Sequence, residues 1–185
     1  MGAAWKNPWQ AVASYRLAKR MIPDLQLALV GVFSASDDPE APAIYESVRR
    51  YVGDDPDVHL YVDSAQIGPR QIAAFQTGSV AILQRSSREG FALTVTEAMW
   101  KGTPVIGTPV GGIPVQIQDG ETGFLAASPE ECAARIIQLV QNPGLARKIG
   151  AAAHRSISRR FLMPRLVADE LRLYRDLVER PALAA

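Results

Sequence analysis

The chain has 185 residues, 48% of them hydrophobic and 21% charged, with a formal net charge of +1. That length suits one domain with a sizeable core, and the near-neutral balance excludes global attraction to nucleic acid or to an anionic membrane surface. A single cysteine, Cys132, excludes an internal disulfide, and no apolar run approaches the ~18 residues of a membrane span, so a cytoplasmic setting is expected.

Met1-Gly2-Ala3-Ala4 reads as a leader, with no signal-peptide pattern, and one domain is expected over residues 5–180. Asn7 is expected to cap a helix that opens on Pro8, carries Trp9, Val12, Ala13, Leu17 and Ala18 at helical spacing, and stops at Ile22-Pro23. Residues 25–30 are a short apolar run closed by Gly31, the pattern of a buried strand. A helix over 43–51 sets Ile44, Val48 and Tyr51 on one face, and residues 58–62 form a second strand. A short helix over 69–77 leads to a third strand over 79–83. After the polar loop 84–89 comes a helix over 93–101, stopped by Gly102, then a fourth strand over 104–107. Gly111-Gly112 opens a short turn or helix through Ile117, and a fifth, brief strand covers 123–125. Ser128 caps a helix that begins at Pro129 and runs to Gln141. Two further helices cover 143–159 and 164–180, and the last carries Leu166, Val167, Leu171, Tyr174, Leu177 and Val178 on one apolar stripe. Residues 37–63 are acidic and 147–180 basic, which reads as two solvated faces.

Strands alternating with helices predict an α/β fold, an open and mostly parallel sheet with helices on both faces. Ligands of such sheets bind at the carboxyl ends of the strands. The loops to watch are therefore 31–42, 62–69, 84–91 and 107–114.

The informative stretch runs from Arg85 to Glu97. Gly90 is expected to let the backbone turn tightly into the following helix. The backbone N–H groups of Phe91, Ala92, Leu93 and Thr94 are then the unpaired donors of its first turn, and such a terminus attracts phosphate through hydrogen bonds and the helix dipole. Glu89 in the loop and Glu97 one turn into the helix flank that terminus, placed to hold hydroxyls on either side of a diphosphate. Val95, Ala98, Met99 and Trp100 surround Glu97 in sequence, so its carboxylate is expected to be partly buried and in need of a polar partner.

Glu89 and Glu97, with seven residues between them, match the E-x7-E signature, and on that pattern the chain resembles the retaining GT-B glycosyltransferases. The wording is most similar to their trehalose-forming branch. The shared phrases are Leu29-Val30-Gly31-Val32, Asp37-Asp38-Pro39-Glu40, Arg88-Glu89-Gly90-Phe91, residues 93–102, Pro104-Val105-Ile106-Gly107, Val110-Gly111-Gly112-Ile113, Gln116-Ile117 and residues 119–125. E-x7-E alone is moderately specific; the ordered series of phrases is much more so. The resemblance implies a Rossmann-like domain, the C-terminal half of a GT-B fold, with the acceptor domain outside this sequence and no turnover by these residues alone. It implies that Glu89 contacts the transferred glucose as the catalytic-site carboxylate and that Glu97 holds the ribose hydroxyls. Gly90, Phe91, Ala92, Leu93 and Thr94 then line the donor sugar and distal phosphate, and Lys6 falls at the family's phosphate-binding lysine. The donor implied is ADP- or UDP-glucose, with no tightly bound cofactor, no metal ligands in the chain and Mg2+ compatible with the diphosphate. The partners implied are the nucleotide-sugar and a sugar acceptor, without nucleic acid or membrane, and a homo-oligomer is expected.

The chain departs from the family in three places. The arginine that usually precedes the lysine has no counterpart, and neither has the strand that carries it. Ala92 stands where many relatives have glycine, which places a methyl near the sugar site, and Val115 stands where many have glutamate. Outside this stretch, Asp55-Pro56-Asp57 matches a D-x-D metal signature but reads as an acidic turn. His59, His154 and Cys132 read as packing or surface residues. Gly111-Gly112 reads as either a phosphate-facing nest or a tight turn, and the resemblance favours the nest. A trehalose phosphorylase, a sugar-nucleotide epimerase and a non-enzymatic nucleotide-binding module remain as alternative functions.

Overall fold

A computed structural model describes residues 4–31, 40–62 and 67–179. Residues 32–39 of the loop 31–42 and 63–66 of the loop 62–69, with Asp37-Asp38-Pro39 and Arg180, lie outside those residues. After a single 3-10 turn (Ala4–Lys6), the order is α1 (Pro8–Lys19), β1 (Leu27–Val30), α2 (Ala41–Val52), β2 (Val58–Tyr61), α3 (Pro69–Gly78) and β3 (Ile82–Gln84). There follow α4 (Leu93–Trp100), β4 (Val105–Gly107), α5 (Ile113–Gln116), β5 (Phe124–Leu125), α6 (Pro129–Gln141), α7 (Pro143–Arg160) and α8 (Met163–Glu179). No helix among these residues is long and apolar enough to cross a membrane.

All strand pairs are parallel, as the alternation of strands and helices requires. Among the described residues the strands form two ladders rather than one sheet: β1 pairs with β2, while β3, β4 and β5 pair in that order. α1 joins the two. Its Val12 and Tyr15 pack with Leu27, Leu29 and Val48, and its Ala18 packs with Ile106, Phe124 and Leu139. Leu25 and Leu83 touch both clusters. A third cluster, around Val95, Met99, Val105, Ile113 and Ala153, fastens α4 between β4 and α7.

Several boundaries differ from the sequence reading. Asn7 has a left-handed backbone and gives α1 no side-chain cap, so Pro8 starts that helix through its fixed φ alone. Ser79 and Val80 are not strand; α3 runs to Gly78, and the Ser79 hydroxyl donates to the Phe75 carbonyl at 2.6 Å. The expected cap at Ser128 is present, its hydroxyl accepting from the Glu131 N–H at 3.2 Å.

α8 has no buried residue. Leu166, Val167, Leu171, Tyr174, Leu177 and Val178 are all at least half exposed, from 50% to 84%. An apolar stripe this long favours association, because burial removes it from water. Light scattering at micromolar concentration is therefore expected to show a dimer or larger species. A concentration-independent monomer would contradict that expectation.

Candidate functional site

The site lies where the loops after β3 and β4 meet the start of α4. Gln84 ends β3 and is buried; its carbonyl accepts from the N–H of Thr108 at 2.9 Å, which holds the two loops together. Arg85 points away from the cleft. Only 2% exposed, it donates to the carbonyls of Ala126 at 2.6 Å and Ser128 at 3.2 Å and to Oε1 of Gln10 at 3.1 Å. Burial pulls its pKa below the ordinary arginine value. It anchors the loop, not a ligand.

The glycine pair has a close-packing reason. A Cβ on Gly111 would meet the Glu89 carbonyl oxygen at 1.7 Å, and one on Gly112 would meet that of Gly90 at 2.0 Å. The Gly112 N–H instead donates to the Glu89 carbonyl at 3.1 Å. Gly111 also has a φ of 52°, where side chains are strained. The pair is a seat for the backbone of Glu89 and Gly90, so the tight-turn reading accounts for it.

Gly90 itself needs no glycine-specific turn, contrary to the sequence expectation. Its φ lies outside the left-handed region, and a Cβ there would meet open space. That space belongs to a cleft of about 560 Å3 lined by Trp5, Ser87, Arg88, Glu89, Gly90 and Gly111.

α4 opens onto this region. The N–H groups of Phe91, Ala92, Leu93 and Thr94 donate to no acceptor among the described residues. The Ala92 carbonyl accepts from Val95 at 3.0 Å and from the Gln116 carboxamide at 3.1 Å, which fixes the entry of the helix. Phe91 and Leu93 are exposed, but Ala92 is 1% exposed and packs in the third core cluster. Its methyl therefore fills core rather than crowding a sugar site.

The side chain of Glu89 is 7% exposed, and one of its oxygens takes every bond. Oε2 accepts from Lys6 Nζ at 2.6 Å, Gln84 Nε2 at 3.2 Å and Ser86 Oγ at 3.4 Å. Oε1 accepts none among the described residues. Lys6, 83 positions away, is thus brought directly onto Glu89, with its ammonium also 4.1 Å from the centre of the Trp5 ring. The Trp5 carbonyl accepts from the Ser87 N–H at 2.8 Å, which holds the lysine's turn against the loop.

Glu97 is exposed, not partly buried. Val95, Ala98 and Met99 are its neighbours in sequence but occupy the buried face of α4, because adjacent residues on a helix point in different directions. The carboxylate does have a polar partner, Gln76 on α3, whose Nε2 donates to Oε2 at 2.9 Å. The Gln76 carbonyl in turn accepts from the Thr103 hydroxyl. Gln76, Gln84, Ser86 and Gln116 were not read from the sequence as site residues. The available signal was a polar amide at the carboxyl end of an apolar strand, which Gln84 gives.

The remaining candidates have internal roles. Asp55 Oδ1 accepts from the Asp57 N–H at 3.1 Å, and Asp57 pairs with Lys19, so the D-x-D sequence is a turn with an ion pair. His154 lies against Trp100, ring centres 4.6 Å apart, and contacts its carbonyl; His59 packs near Tyr61. Cys132 is buried in the second cluster, which pushes its thiol pKa up.

Residues 3–156 match the family described as Glycosyl transferases group 1. A trehalose synthase from Pyrococcus horikoshii is 45% identical over 159 residues, which cover 86% of this chain and 38% of that protein. A trehalose phosphorylase from Pleurotus pulmonarius is 34% identical over 139 residues, covering 72% of this chain and 19% of that one. The solved structure of sucrose-phosphate synthase from Thermosynechococcus elongatus superposes with a TM-score of 0.73 at 28% identity, covering 91% of this chain and 42% of its own. The chain thus spans well under half the length of these relatives. Family match, shared fold and the E-x7-E pair at the α4 entrance agree, and the chain belongs to the group 1 glycosyltransferases.

Proposed function

We propose that this chain is the donor-binding half of a retaining glycosyltransferase that moves glucose from ADP- or UDP-glucose to glucose, giving α,α-trehalose. The observation that carries the reading is the α4 entrance: four N–H groups without an acceptor among the described residues, between two carboxylates each held by its own buried glutamine. The N–H groups of Phe91, Ala92, Leu93 and Thr94 hold the distal phosphate, aided by the helix dipole. Lys6 adds a positive charge beside Glu89. Glu97 accepts hydrogen bonds from the ribose, and the free Oε1 of Glu89 accepts from hydroxyls of the transferred glucose. As the glycosidic C–O bond breaks, charge builds on the diphosphate, and these fixed donors stabilise it more than they stabilise the intact donor. The acceptor then attacks on the face the diphosphate leaves. The reading needs no tightly bound cofactor.

Trehalose phosphorolysis is the second reading, favoured by the 34% identity to the Pleurotus enzyme. Product analysis on a longer form of the protein, with and without inorganic phosphate, separates the two. For residues 1–185 alone, calorimetric titration with ADP, UDP and GDP and their glucose conjugates is expected to show binding. Trehalose formation by these residues alone is not expected, because donor and acceptor must be held together for the transfer. Absence of binding to any of the six compounds would refute the donor-site reading.

A further inference from the structure

We infer that Gln84 is a positioning residue that sets which oxygen of Glu89 the donor sugar meets; this rests on the donor-site reading above. Gln84 is 7% exposed at the end of β3, and its side chain bridges Glu89 and the first turn of α4. Its Nε2 donates to Ser86 Oγ at 2.8 Å and to Glu89 Oε2 at 3.2 Å. Its Oε1 accepts from the Thr94 hydroxyl at 3.0 Å, in the first turn of α4.

The polarity of this chain of bonds follows from chemistry. An ionised carboxylate only accepts, so the amide nitrogen must face Glu89. The amide oxygen then faces Thr94, whose hydroxyl must donate. Two consequences follow. Thr94 has used its hydroxyl proton on Gln84, so it meets a phosphate through its backbone N–H. Gln84, Ser86 and Lys6 all converge on Oε2, so Oε2 is saturated and Oε1 is the oxygen left for a sugar hydroxyl.

The Lys6 side chain is 37% exposed, so an entering diphosphate competes for its ammonium. Gln84 is only 7% exposed and is shielded from such competition. It is therefore the contact that keeps the carboxylate oriented when the ligand arrives. Its other end meets α4 only through the Thr94 hydroxyl and does not engage the backbone N–H groups at the helix entrance. A buried amide with both ends satisfied by fixed partners has a single orientation, which is how a carboxylate's aim is preserved.

The test compares two ligands on Gln84→Met, which keeps length and burial but removes both polar ends. Binding of the nucleoside diphosphate glucose is expected to weaken by roughly tenfold, the factor of one lost hydrogen bond to a charged group. Binding of the free nucleoside diphosphate should match the parent, since α4 and Glu97 remain. A merely structural role would weaken both ligands together, and that result, or no change in either, overturns the inference. Should Gln84→Met not fold, Thr94→Val reports on the same contact from an exposed position: it is expected to weaken the glucose conjugate selectively, by a smaller factor, and an unselective or absent effect counts against the inference. If the parent chain binds neither ligand, the donor-site reading has failed instead.

Discussion

Gly112→Ala is expected to lower the melting temperature by roughly 5–15 °C, the shift that about 2–4 kcal/mol of overpacking and lost hydrogen bonding produces in a domain of this size. The added Cβ would lie 2.0 Å from the carbonyl oxygen of Gly90. That atom is backbone, so no side-chain rotation relieves the clash, and the loops after β3 and β4 must separate. Separation breaks the bond from the Gly112 N–H to the Glu89 carbonyl and disturbs the carboxylate's orientation. Gly90→Ala is the informative contrast. Its Cβ would enter open space, so the melting temperature should stay at the parent value while the new methyl intrudes on the cleft and weakens ligand binding. Differential scanning calorimetry on both variants decides the point; a Gly112→Ala protein that melts with the parent contradicts the packing described.

The two glycine variants also mark what can be read from a sequence. Gly-Gly between a strand and a short helix signals a turn, but its contact, the backbone of Glu89 and Gly90, lies more than twenty positions away. Local pattern was legible: the strand–helix alternation, the Ser128 cap and the start of α4 all follow from neighbouring residues. Distant pairing was not. Lys6 and Glu89 meet across 83 positions, and Gln76 and Glu97 across 21. Only the family resemblance brought Lys6 into the site, and nothing suggested that it would touch Glu89. Glu97 is exposed despite its apolar neighbours in sequence, because adjacent residues on a helix face different directions. The split into two ladders likewise depends on strand partners that short apolar runs do not record.

Glu97→Ala is expected to weaken nucleoside diphosphate binding by about 10- to 150-fold, equivalent to roughly 1.5–3 kcal/mol for a lost charged hydrogen-bond partner. Glu97 is exposed on α4, alanine favours the helix, and the core face of Val95, Ala98 and Met99 is untouched. Removing the carboxylate does leave the buried Gln76 amide nitrogen without its partner, so stability is expected to fall by about 1–3 kcal/mol, and scanning calorimetry alongside the titration separates that loss from the loss of affinity. Glu89 requires a gentler change. Removing its side chain would strand Lys6, Gln84 and Ser86 around an empty space, so Glu89→Gln, which keeps the shape, is the proper comparison. If Glu97 holds ribose and Glu89 holds glucose, Glu89→Gln should leave ADP and UDP binding near the parent value and weaken only their glucose conjugates. Titrating both variants with both kinds of ligand gives a crossed pattern. Parent-like nucleotide binding by Glu97→Ala would remove the ribose assignment. Equal loss of free nucleotide in both variants would mean that the two carboxylates share one subsite, with the α4 entrance between them holding something other than a diphosphate.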